Sequence, residues 1–185
     1  QRLAALQNGG GGGGNTLDVG APESDCEDAI AVCQQTYTQT QSYSNYGDYQ
    51  ELSGTCLASN EQKTVWYVFT VQNSGTFGFM INTPNDYDFA LFGPNATCGA
   101  LGTPIRCNYS ATYGNTGLNA AAPAGGNISV GAGGAPIMAG LNVVAGQTYI
   151  LVIDNYTGNT NGYTITFSGT AQIFDVSPPT VLTMA

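Results

Sequence analysis

The chain has 185 residues, only 8% of them charged, and its twelve acids against three strong bases give a net charge of -9. Arg2, Lys63 and Arg106 are the only strong bases, so no cluster exists to neutralise phosphates; this excludes nucleic acid and disfavours an anionic membrane surface. The absence of histidine removes any Ser-His or Cys-His nucleophile from within the chain and leaves carboxylates as its acid–base groups.

The length suits one domain with a good core. Residues 1–22 read as a Gly-rich tail. "QRLAALQ" is weakly helical, and the glycines 9–14 cannot hold a helix or a core. The start at Gln1 is read as a removed leader or a fragment. "DCEDAIAVC" (25–33) is the one predicted helix: Asp25 caps it, and Glu27 and Asp28 sit in its first turn. The Tyr-rich stretch that follows holds Tyr37, Tyr43, Tyr46 and Tyr49. It is read either as an edge strand covering the body or as a surface that stacks on sugars or grips a protein.

From there the punctuation is β. "KTVWYVFTVQ" (63–72) is apolar on both faces, with Trp66 in the core, and Asn73 to Gly75 turn the chain. "TFGFMINTP" (76–84) puts Phe77, Phe79 and Ile81 on one face, and "YDFALFGP" (87–94) follows. Residues 95–135 read as long loops with one strand among them. "PIMAGLNVV" (136–144) is predicted to be a single strand, and "QTYILVIDNY" (147–156) is a second one apolar on both faces. "GYTITFSG" (162–169) turns Tyr163, Ile165 and Phe167 inward, and "TAQIFDV" (170–176) completes the series. The expected fold is therefore an all-β, antiparallel, jelly-roll-like β-sandwich spanning 23–176, with one short N-terminal helix. Residues 177–185 are expected to be a linker or the start of a further domain. No apolar run approaches the roughly 18 residues of a membrane span.

The cysteines number five and include no CxxC pair, which argues against zinc and for an oxidising, extracellular setting. Leaving one cysteine out and pairing the rest allows about fifteen arrangements. Cys98 and Cys107 bracket the turn region "CGALGTPIRC" and form the preferred pair; Cys33 with Cys56 is the second, leaving Cys26 free or joined to something outside the segment.

Asp86 and Asp88 fall on one face of "NDYDFALFG", about 7 Å apart, opposite Tyr87, Phe89 and Leu91. Like charges there repel, and neither enters a core unpaired. In one reading Asp86 caps its turn and Asp88 stays at a wet edge. In the other a Ca²⁺ ion joins them, with Asp154, Asn155 and Glu61 adding oxygens, since calcium takes six to eight. A catalytic carboxylate pair acting on a sugar is a third reading, but nothing in the sequence marks a cleft. Asn95, Asn108, Asn127 and Asn155 stand in N-x-S/T sequons.

Six spaced stretches carry a resemblance: "DCEDAIAVC", "EQKTVWYVFTVQNSGTFGFMI", "NDYDFALF", "IRCNYSATYGNTGL", "VVAGQTYILVIDNYTGNTNGYTITFSG" and "AQIFDVSPP". Over residues 25–179 the chain resembles the N-terminal β-sandwich module of large Bacteroidetes surface proteins. These are SprB-like gliding-motility adhesins exported by type IX secretion. The resemblance implies an extracellular, cell-surface location, further domains and a C-terminal export signal, and it carries over no catalytic set. The function expected is that of a non-enzymatic adhesin or spacer module whose partners are surface glycans, other proteins or copies of itself. Two alternatives remain open: a filament subunit that adds its terminal segments to neighbouring sheet edges, and a carbohydrate-binding module.

Overall fold

The computed structural model describes residues 21–43, 47–57, 61, 63–123 and 125–173. The strands are β1 (Ile30–Ala31), β2 (Thr36–Gln41), β3 (Val65–Thr70), β4 (Gly75–Asn82), β5 (Asp88–Phe92) and β6 (Arg106–Asn108). They continue with β7 (Thr116–Asn119), β8 (Ser129–Val130), β9 (Ile137–Ala139), β10 (Leu141–Val143), β11 (Thr148–Asp154) and β12 (Asn161–Gly169). One sheet has the order β1-β3-β11-β5-β6-β8; the other runs β2-β12-β4-β7-β9, with β10 also on β4. Within them β3-β11-β5-β6 and β2-β12-β4-β7 are joined antiparallel throughout. The chain crosses between these two quartets in the order of an eight-stranded jelly roll.

Alternation explains the main core. Phe77, Phe79 and Ile81 of β4 meet Tyr87, Phe89 and Leu91 around β5, with Tyr163, Ile165 and Phe167 of β12 beside them. Phe69 stacks on Tyr149 at 5.8 Å, and Phe79 meets Phe89 edge-on at 5.2 Å. The Tyr67 and Tyr163 hydroxyls satisfy each other at 2.7 Å, so neither phenol is buried without a partner.

The strands that are apolar on both faces are accounted for by a second core. Trp66, Val152, Ile150, Ala90 and Phe92 point away from the first core and are covered by Cys26, Leu52 and Leu57. The segment 47–57 thus forms a partial third layer on the first sheet. Disulfides Cys26–Cys98 and Cys56–Cys107 pin it, and Cys33 is the free cysteine among the described residues. The expected pairs Cys98–Cys107 and Cys33–Cys56 are therefore not formed. Cys107 pairs in register with Ala90 on the outward face of β6, where the covering segment brings Cys56 to it.

Further expectations are corrected. Residues 25–33 are not an α-helix. Pro22–Ser24 and Cys26–Asp28 are single 3₁₀ turns, and Ile30–Ala31 adds as a parallel strand to β3. Residues 95–135 hold three short strands, β6, β7 and β8. The expected strand 136–144 breaks at Gly140 into β9, which pairs with β7, and β10, which pairs with β4. Gly140 sits so close to the carbonyl oxygens of Asn119 and Phe77 that a Cβ would collide with both. Of the expected strand 170–176, the described residues 170–173 form an isolated bridge between Val71 and Ile173, and residues 174–185 lie outside the described set, as do 1–20.

The gap between the sheets on the β6 side is closed by polar side chains. The buried Arg106 guanidinium donates to the carbonyls of Ile105, Gly125, Ala139 and Gly140. Asn108 donates to those of Ala135 and Pro136.

Candidate functional site

Asp88 opens β5, and Asp154 ends β11 directly opposite it. Both side chains project to the outer face of the first sheet, the face of Ala90 and Phe92. Continuing the registers by one residue puts Thr64 beside Asp154 and Tyr109 beside Asp88. Asp86 lies in the preceding turn. Its N–H donates to the Thr157 hydroxyl at 2.8 Å, and its carbonyl accepts from the Thr157 N–H at 3.2 Å. The wet-edge reading fails, because Asp86 is 2% and Asp88 7% exposed. Asp86 Oδ1 is buried without a hydrogen-bond partner. Burial pushes the Asp88 carboxyl up to about 8, and the Asp86 and Asp154 charges add to the rise. Burial also raises Asp86. Such a shift favours the protonated form of Asp88 toward neutral pH.

Of the five expected calcium ligands, the fold sets Asp154 opposite Asp88, with Asp86 in the adjoining turn. Asn155 is fully occupied in its own loop: its Oδ1 accepts from Gly158 N–H at 3.1 Å, and its amide donates to the Asn159 carbonyl at 2.7 Å. Glu61 instead holds down the third layer, accepting from Glu51 N–H at 2.6 Å and from the Thr64 hydroxyl at 3.2 Å. Glu51 accepts from Cys26 N–H at 2.8 Å, and the Asp25 carboxylate from the N–H groups of Asp48 and Tyr49. Burial first, then Glu61 and Asp25, raises Glu51 to about 7. These acids are fasteners of the covering segment. Among the described residues no three His, Cys, Asp or Glu side chains are already gathered at coordinating distance.

The expected ligand tyrosines are dispersed. Tyr37 and Tyr43 pack against the first core, Tyr37 edge-on to Tyr67 at 5.5 Å, as befits the edge strand β2. Tyr49 is exposed, and Tyr46 lies outside the described residues. The exposed aromatic group that the sequence reading missed is Tyr109, Tyr113 and Tyr156. The loops of Tyr113 and Tyr156 are bonded to the 84–87 turn, while Tyr109 follows β6 with its hydroxyl near Gly131. Gly114 N–H donates to Asn85 O at 3.1 Å, tying the Tyr113 loop to that turn, and the Asp86–Thr157 bonds tie the Tyr156 loop. Their signal lay in "CNYSATYG" and "DNYTG", where tyrosine stands among turn residues rather than in an alternating run. Above the Tyr156 loop, the Lys63 ammonium fills the space that a side chain on Gly158 would need.

The end of the sandwich therefore combines buried acids with a rim of exposed phenols. Such a surface can stack on a sugar ring or a planar side chain and attract a cation. Of the sequons, Asn108 and Asn155 are buried, whereas Asn95 and Asn127 are exposed. No helix among the described residues is long and apolar enough to cross a membrane. Comparison with protein-family models, curated proteins and solved structures finds no match to this chain.

Proposed function

We propose that this chain is a non-enzymatic, extracellular contact module of a large bacterial surface protein, of the gliding-motility adhesin type that residues 25–179 resemble. It holds a tyrosine-rimmed end toward surface glycans or proteins. The observation that carries this reading is that the loops of Tyr113 and Tyr156, 66% and 71% exposed, are both bonded to the 84–87 turn, with Tyr109, 41% exposed, beside Asp88 by register. Exposed aromatic clusters favour contact with a partner. The two interleaved disulfides suit an oxidising compartment and a body that keeps its shape. The test is retention of the module on a glycan array and on intact cells, compared with a Tyr113→Ala/Tyr156→Ala variant. Retention lost with the two phenols supports the reading; retention unchanged in the variant rejects it.

A second reading, a filament subunit, is favoured by one contact. Ile173 N–H donates to Gln35 Oε1 at 2.9 Å, so the chain leaves the described body beside the start of β2. That strand is the last of its sheet, and a sheet end can accept a strand from a neighbour. Electron microscopy of the concentrated full chain decides: regular fibres favour this reading, and dispersed particles reject it.

A further inference from the structure

We propose that Asp86, Asp88 and Asp154 form a calcium site at the tyrosine-rimmed end, which braces the 84–87 turn and the 155–160 loop against the first sheet. Two independent observations support it. The first is position: Asp88 and Asp154 are direct cross-strand partners on one face, and Asp86 stands in the turn two residues ahead of Asp88, near enough for its charge to bear on it. The second is an unmet need, since Asp86 is 98% buried and its Oδ1 has no hydrogen-bond partner. A buried carboxylate oxygen left without a donor is costly, and a hard cation satisfies it.

The surroundings select among cations. No histidine exists in the chain, and the four disulfide sulfurs are spent, so soft transition metals lack their preferred ligands. Oxygen ligands are what remain. Calcium tolerates such irregular sets of six to eight oxygens, whereas magnesium demands near-octahedral geometry and keeps its water. The three carboxylates are not yet gathered at coordinating distance, so binding closes them around the ion. That movement tightens the turn on which the Tyr113 and Tyr156 loops rest. The other charged groups that face the site are few. Lys63 lies over the Gly158 loop, and Glu61 is held off by Glu51 and Thr64.

The test uses the full chain, Ca²⁺ alone as titrant, and Mg²⁺ and NaCl as comparisons. Calorimetry and thermal melts are run on wild type, Asp86→Asn, Asp88→Asn and the exposed control Asp28→Asn. The expected result is one Ca²⁺ per chain with Kd on the order of 0.1–1 mM, the range of extracellular modules. At 10 mM Ca²⁺ the melting temperature rises by about 3–10 °C, and the rise survives in Asp28→Asn. It is lost in Asp86→Asn and Asp88→Asn, which are isosteric and fold because neither brings a charge into the buried site. No heat and no shift in wild type overturn the proposal. So does an equal shift with Mg²⁺ or NaCl, or a Ca²⁺ shift that persists in both site variants. Because the readout is ion binding and stability, the proposal can fail while glycan or cell retention holds, and the reverse.

Discussion

Replacing Cys56 and Cys107 together by alanine is the sharpest test of the third layer. Their bond closes a loop of 51 residues. In the chain-entropy account such a loop removes about 14 cal/mol/K from the denatured state, or about 4 kcal/mol at 25 °C. The Cys98–Cys107 bond that the sequence favoured would close only about nine residues and contribute under about 3 kcal/mol. Domains of this size have roughly 5–15 kcal/mol to lose, so the double variant should unfold at much lower urea. Trp66, the single tryptophan of the chain, is fully buried in the second core beneath that layer, so its fluorescence reports on it directly. Emission should be blue-shifted in the oxidised protein and move toward the red in the variant before the sandwich itself melts. Peptide mapping without reduction supplies the connectivity, and alkylation of the denatured, unreduced chain should label Cys33. A peptide joining Cys98 to Cys107, label on Cys26, or an unchanged urea midpoint in the double variant would refute the reasoning.

Asp88→Asn should be more stable than wild type above about pH 8 in calcium-free buffer. The folded pKa of about 8 lies above the unfolded value near 3.9. Wild type thus holds the Asp88 contribution fully below about pH 4 and loses it as the pH climbs to about 8, by up to about 5 kcal/mol. Urea melts at pH 5 and pH 8.5 check this: the gap between the two pH values should narrow in the variant. Arg106→Met should cost about 3–5 kcal/mol, since four carbonyls lose a charged donor at once. Arg106→Lys should recover part of that loss, again by urea melts.

The strands that could be read in the sequence were those whose alternation is long. Phe77-Phe79-Ile81 and Tyr163-Ile165-Phe167 face inward as their period of two requires, and the runs around Trp66 and Val152 announced burial on both faces. What covered the second face could not be read, because Leu52 and Leu57 are isolated apolar residues in a loop with no period. The cysteine pairing was missed for the same reason: sequence proximity favoured Cys98 with Cys107, whereas the face of β6 and the path of the covering segment decide the partner. The acid-rich "DCEDAIAVC" looked like a helix start, but it carries no more than one helical turn before Ile30 and Ala31 join β3. Among the acids, Asp86 and Asp88 were grouped by alternation and Asp154 by its place at a strand end; β11 sets Asp154 opposite Asp88, whereas Asp86 lies in the turn before β5. Asn155 and Glu61 were grouped by nearness to strand ends, and each has a local backbone partner that the sequence does not advertise.

The central claim is that this protein works by touching a partner with the end that carries Tyr109, Tyr113 and Tyr156. The most direct measurement is the retention of beads displaying the full chain on intact cells and glycan-coated surfaces, with Tyr113→Ala/Tyr156→Ala beads alongside at matched melting temperature. The account expects wild-type beads to be held and variant beads to wash away. Equal retention of both, or wild-type beads held by none of the surfaces, contradicts it.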